Sequence, residues 1–117
     1  MELNKIINAE SLKYLKTLKN GIVDLIYFDP PFFTQKTHKL IGSDSQKTYQ
    51  FDDKFESLEQ YLALIKAILT QCRRVLKDTG RVFLHCDKTA SHHIRQVLDV
   101  VFGPRNFQSE IVWAYKR

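Results

Sequence analysis

The stretch that most constrains this chain is IVDLIYF, residues 22–28, together with the corner it runs into, Asp29-Pro30-Pro31-Phe32. A near-continuous run of β-branched, aliphatic and aromatic residues of this length is typical of a strand covered on both faces, as in a parallel sheet. It is far too short to cross a membrane, which takes about 20 apolar residues. The corner does more than end a strand. Each proline fixes φ and removes a backbone donor, so the turn is stiff and offers carbonyl oxygens without competing N–H groups. In open α/β sheets ligands bind beyond the carboxyl ends of strands, and these four residues sit at such an end. The plainer alternative is a strand-ending turn in which Asp29 caps and Phe32 packs.

The remaining pattern alternates strands and helices. NKIIN, residues 4–8, predicts a short strand. Ser11 has the character of an N-cap, and Leu12, Leu15 and Leu18 give a short helix its core face, ended by Asn20-Gly21. Residues 33–56 show no clear periodicity and predict a long polar loop, with its lysines balanced by acids. Ser57 and Gln60 fit a capping box. Behind them Leu58, Tyr61, Leu62, Ile65, Ile68, Leu69, Cys72, Val75 and Leu76 recur at three and four spacing, with Lys66, Arg73, Arg74 and Lys77 off the stripe and Thr79-Gly80 as the stop. RVFLHC, residues 81–86, predicts a second core strand. Ile94, Val97, Leu98, Val101 and Phe102 predict a helix closed by Gly103-Pro104. SEIVWAY, residues 109–115, predicts a last strand, with Trp113 and Tyr115 in the core or on a sheet face. Helices between buried strands imply an α/β fold with a mostly parallel sheet.

Composition sets outer bounds. The chain has 117 residues, 44% hydrophobic and 26% charged, enough for one small globular domain. Its net charge of +5 permits a polyanionic partner without demanding one. The two cysteines, Cys72 and Cys86, predict free thiols in a reducing compartment. With no secretory signal in the first residues, the expected location is cytoplasmic. His85, Cys86, Asp87, His92 and His93 cluster in sequence, but their spacing matches no standard zinc site, so no metal is expected.

The corner suits one kind of chemistry. The exocyclic amine of adenine or cytosine is a poor nucleophile because its lone pair is conjugated into the ring. Two acceptors holding its two N–H bonds draw the nitrogen toward tetrahedral geometry and expose that lone pair. The Asp29 carboxylate and the Pro30 carbonyl are such a pair, and Phe32 supplies a face for the base to stack on. Reaching such a pocket requires the base to leave the duplex.

DLIYFDPPF resembles the catalytic motif of the amino-methylating DNA methyltransferases, in which Asp, Asn or Ser precedes Pro-Pro and an aromatic residue. FDDKFESLEQYLALIKAILTQCRRVLKDTGRVFLHCD and LDVVFGPRNFQSEIVWAYKR are similar to the segments downstream of that motif in the family's β-type arrangement, so the resemblance covers nearly the whole chain. It implies a Rossmann-like methyltransferase sheet, here an incomplete class I S-adenosylmethionine-dependent fold. It also implies S-adenosylmethionine as cofactor, double-stranded DNA as partner and a restriction-modification setting. Catalytic roles fall on Asp29, Pro30, Pro31 and Phe32. Cofactor contacts fall on Asp29, Glu10 and Asp87, although Glu10 also reads simply as a helix-start acid. Lys36, Lys39 and Lys47 would meet DNA phosphates. An initial Asp resembles the N6-adenine enzymes, whereas N4-cytosine enzymes more often have Ser; motifs of protein and RNA methylases more often begin with Asn.

One family feature is missing from the sequence. The four glycines, Gly21, Gly42, Gly80 and Gly103, are too far apart to form the family's Phe-x-Gly-x-Gly cofactor loop. Residues 1–117 are therefore expected to be an N-terminal catalytic portion, inactive alone, without that loop or a target-recognition region. The competing expectation is a non-catalytic fragment or split-enzyme subunit that binds DNA, a complementary chain or a second copy of itself.

Overall fold

The computed structural model describes residues 1–33, 37–41, 48–52 and 57–116. The elements are α1 (Ser11–Thr17), β1 (Val23–Phe28), β2 (Thr37–Ile41), β3 (Thr48–Asp52), α2 (Leu58–Val75), β4 (Leu76–Leu84) and α3 (Ser91–Phe102), followed by a 3-10 turn at Pro104–Asn106. The class is α/β. β1 and β4 form a parallel pair, with Ile26 opposite Val82 and Phe28 opposite Leu84. The connection between them carries α2, and this strand–helix–strand unit is consistent with part of a methyltransferase fold.

α2 is the centre of the packing. Tyr61, Ile65, Leu69 and Val75 are fully buried, and Ile68 and Cys72 nearly so, following the predicted stripe. Burying each such side chain stabilises the fold by roughly 1.5–3 kcal/mol. The Ser57 hydroxyl caps the helix by accepting from the Gln60 N–H at 3.0 Å. α3 joins the core through Ile94 and Val101, and the sheet contributes Phe28 and Leu84.

The last turn of α2 holds its neighbours by their carbonyl ends. The Arg74 guanidinium donates to the carbonyls of Leu15 and Leu18 at the end of α1, and to the Asn20 and Gln71 side chains, at 2.7–2.8 Å. Arg73 donates to the Val101 carbonyl near the end of α3 at 2.7 Å. Both cations therefore bond carbonyls at helix ends, where cations are favoured, although the sequence placed them off the stripe. Gly21, at φ +64°, turns the chain from α1 into β1. Its N–H and that of Ile22 donate to the Arg74 and Val75 carbonyls.

Several expectations are corrected. Residues 4–8 form no strand, and Ile6 is fully exposed. Residues 109–115 also form no strand; Trp113 is 79% exposed and Tyr115 67%, so neither is core. Both stretches have strand-like composition, but no described strand runs beside them, and β propensity without a partner edge does not make a strand. The 33–56 loop contains the antiparallel pair β2–β3, with Lys39 opposite Gln50. Glu10, not Ser11, caps α1, its carboxylate accepting from the Leu12 and Lys13 N–H groups at 3.0 and 2.9 Å. Those bonds hold the Glu10 carboxyl below its ordinary value. Leu12, Leu15 and Leu18 are half-buried rather than core.

Among the described residues, β1 is covered on one face only. Its inward residues, Ile26 and Phe28, meet the helices, whereas Leu25 (58%), Tyr27 (66%) and Phe83 of β4 (45%) are exposed on the other face. The described helices cover one side of the pair only.

α2 ends at Val75 rather than at Thr79-Gly80, because Leu76 already begins β4 opposite Val23. The register then slips, so that Leu25 pairs with Arg81, and Gly80 lies in this bulge. A Cβ on Gly80 would lie 2.7 Å from the Leu76 side chain and 2.9 Å from the Lys77 carbonyl oxygen. Gly80→Ala is therefore expected to lower stability by about 1–3 kcal/mol, as overpacking does. Urea unfolding checks this, and an unchanged midpoint would show that the bulge tolerates the methyl group.

Candidate active site

The corner lies where β1 leaves the sheet. Pro30 is buried, Pro31 and Asp29 are exposed, and Phe32 and Phe33 are half-buried. Among the described residues, nothing hydrogen-bonds or ion-pairs with the Asp29 carboxylate. Nor does any described main-chain N–H donate to the Pro30 carbonyl. The acid and the carbonyl that the sequence paired are thus both uncommitted within the described structure.

The rings around the corner are organised by its neighbours. Phe32 lies against His85, with centroids 5.6 Å apart and planes inclined by 40°. His85 is held at that height because its N–H donates to the Phe28 carbonyl at 2.9 Å, continuing the β1–β4 pairing past the last strand residue. Phe33 packs on the ring of Tyr61 at 5.2 Å. The Tyr61 hydroxyl donates to the Pro31 carbonyl at 2.7 Å. Sequence reasoning placed Tyr61 in the apolar stripe of α2 and missed its hydroxyl. The available signal was a phenol at a core position, which calls for a buried acceptor.

The other candidates are dispersed. Asp87, just beyond β4, accepts from the Thr89 N–H at 3.2 Å and from its hydroxyl at 3.1 Å, closing the turn into α3. Glu10 sits at the start of α1, on the opposite side of β1 in sequence, with both oxygens on backbone N–H groups. Lys36 and Lys47 lie outside the described residues, and Lys39 sits midway along β2. Among the described residues, no group of three or more His, Cys, Asp or Glu side chains is placed to hold a metal ion, and no helix is long and apolar enough to cross a membrane.

Burial shapes the titration of the core. It pushes the Tyr61 hydroxyl up to about 12, with Cys86 and Asp87 adding to the effect. It pushes the Cys72 thiol up to about 11 and raises Cys86 as well, with Asp87 and Glu110 contributing there. Both cysteines are free thiols. Tyr61 therefore remains a donor throughout the neutral range.

Asp29, the Pro30 carbonyl and Phe32 are two acceptors and a flat face within a stretch of four residues. Of the acids expected on the cofactor side, Glu10 and Asp87 accept hydrogen bonds within their own turns, and Asp29 does not.

Comparison with known proteins bears on the same region. A family model described as DNA methylase matches residues 23–117. The Type II methyltransferase M.HinfI of Haemophilus influenzae is 34% identical over 85 residues, covering 70% of this chain and 24% of the relative. The Type II methyltransferase M.KpnI of Klebsiella pneumoniae is 29% identical over 112 residues, covering 93% and 26%. The Type III restriction-modification enzyme StyLTI Mod subunit of Salmonella typhimurium is 26% identical over 144 residues, covering 97% and 21%. The chain spans about a quarter of the length of these relatives.

The raised Tyr61 value has a measurable consequence. A hydroxyl that keeps its proton to a higher pH when folded contributes stability that is complete below the ordinary tyrosine value of 10 and is lost as pH rises toward 12. Absorbance at the tyrosinate band is expected to show a late ionisation near 12 that disappears in Tyr61→Phe. Ionisation of every tyrosine in a single early step would contradict the placement of this hydroxyl.

Proposed function

The chain belongs to the N6/N4 DNA methylase family, and on that basis we propose that Asp29–Phe32 is the amine-holding centre of a DNA adenine-N6 methyltransferase. A base flipped from double-stranded DNA would present its amino group to the Asp29 carboxylate and the Pro30 carbonyl, one N–H to each. Phe32 would lie against the base, a contact worth about 1–3 kcal/mol by analogy with other base–aromatic stacks. S-adenosylmethionine supplies the methyl group when bound. This chain's own contribution is orientation and hydrogen bonding, with no covalent enzyme intermediate.

The observation that carries this reading is the uncommitted state of Asp29 at the carboxyl end of β1, beside a stacking ring and a buried proline. Asp rather than Ser at position 29 favours adenine over cytosine. Asp29, Glu10 and Asp87 are proposed as the cofactor-side acids on the family resemblance. Lys36, Lys39 and Lys47 are proposed as phosphate contacts, consistent with the basic charge of the chain. The relatives' names point to a restriction-modification role, and the proposed location is cytoplasmic, with the DNA. Residues 1–117 would act as the catalytic portion, the glycine-rich loop and the recognition region coming from further polypeptide.

A second reading has its own support. The open face of Leu25, Tyr27 and Phe83, with exposed Ile111, Val112 and Trp113, suits assembly with a complementary chain. The two readings separate in a tritium-transfer assay from labelled S-adenosylmethionine to DNA. It is run with the chain alone and mixed with a polypeptide carrying the glycine-rich loop. Transfer that requires the mixture supports the split arrangement. In whichever form is active, Asp29→Ala is expected to lower the rate by about 100-fold or more, as loss of a preorganised polar group does. Undiminished transfer would remove Asp29 from the reaction centre.

A further inference from the structure

We infer that Tyr61 is the positioning residue of the corner, its hydroxyl fixing a main-chain torsion that the prolines leave free. The inference rests on the reading of Asp29–Phe32 as the amine-holding centre and goes beyond it by assigning a role to a residue on α2. The prolines restrict the corner torsion by torsion. The ring of Pro30 restricts ψ of Asp29, because a residue before proline is driven to the extended region. The same ring fixes φ of Pro30. Pro31 in turn restricts ψ of Pro30 and fixes its own φ. The torsion that follows, ψ of Pro31, is not restricted, and it decides where the Pro31 carbonyl points and how Phe32 is aimed.

That carbonyl is the group Tyr61 holds. The phenol is fully buried, its ring is fixed in the core against Phe33, and its oxygen lies 2.7 Å from the Pro31 oxygen. α2 is anchored independently at its far end through Arg73 and Arg74, so the donor comes from a rigid element. The bond acts on the site in two ways. Phe32 keeps its pose beside His85, 5.6 Å away. The bond also takes up one of the two lone pairs of the Pro31 carbonyl, whereas no described main-chain N–H donates to the Pro30 carbonyl. High pH does not disarm the donor until well above the neutral range, since the hydroxyl titrates at about 12.

The test uses the 117-residue chain and Tyr61→Phe, which keeps the ring and removes the donor. Ile65→Val serves as a control, because it loosens the same buried helix one turn on and leaves the Tyr61 hydroxyl in place. Three quantities are read by NMR: the Pro31 carbonyl resonance, the contact between the Phe32 and His85 rings, and affinity for a single-stranded deoxyadenosine oligonucleotide. In Tyr61→Phe the Pro31 resonance is expected to move, the ring contact to weaken, and affinity to fall about five-fold, the loss of one hydrogen bond. Ile65→Val should leave all three near the parent values. If Tyr61→Phe melts too readily, 3-fluorotyrosine at position 61 replaces it. This is a stronger donor of nearly the same shape, expected to shift the Pro31 resonance in the opposite sense. An unmoved Pro31 resonance and ring contact in both replacements would overturn the inference, as would equal effects from Ile65→Val. Asp29→Ala separates the two claims. If it abolishes oligonucleotide binding while Tyr61→Phe leaves it intact, the positioning role falls and the amine-holding centre stands. If Asp29→Ala has no effect, the reading of the corner falls, and this inference with it.

Discussion

The hydroxyl of Tyr61 on the Pro31 carbonyl, and the main-chain bonds from Gly21 and Ile22 to Arg74 and Val75, tie the two ends of β1 to the two ends of α2. A strand held at both ends by one helix cannot slide against it. The position of Asp29, one residue past the strand, is set by that constraint rather than by any bond of its own.

This division of labour suits the proposed chemistry. An acceptor that must receive a substrate amine is most useful when nothing else occupies it, and Asp29 is exposed and uncommitted among the described residues. Its placement is supplied by residues that stay buried. Pro30, Tyr61 and the packed rings carry the positioning, while the carboxylate and Phe32 remain available. Arg73 and Arg74 extend the same logic outward by fixing α3 and α1 to the far end of α2. The face of the sheet turned away from α2 has no such cover among the described residues, and Leu25, Tyr27 and Phe83 lie open there.

The parts legible in the sequence were those whose signal is local and repeated. The α2 stripe, the Ser57 cap and the run into Asp29 all declared themselves through spacing or composition. The failures share a cause. NKIIN and SEIVWAY have strand-like residues, but a strand exists only where a second strand offers its N–H and C=O groups, and that is not a local property. The β2–β3 pair escaped notice although Thr48-Tyr49-Gln50-Phe51-Asp52 alternates polar and apolar residues, because that signal is five residues long and its partner Thr37–Ile41 does not alternate. Glu10 displaced Ser11 as the cap by reaching two N–H groups at once. Tyr61 was visible as a core residue, but its partner is 30 positions away in sequence, and no pattern within α2 reveals an acceptor at Pro31.

The central claim is that α2 and β1 behave as one mechanical unit. Native-state hydrogen exchange measures this directly, because elements that open together share one opening free energy. Amides of β1 between Val23 and Phe28 and those of the buried turns of α2 should exchange with the same protection and the same dependence on denaturant. If the β1 amides open at a much lower free energy while α2 stays protected, the helix does not hold the strand, and the account of how Asp29 is placed is wrong.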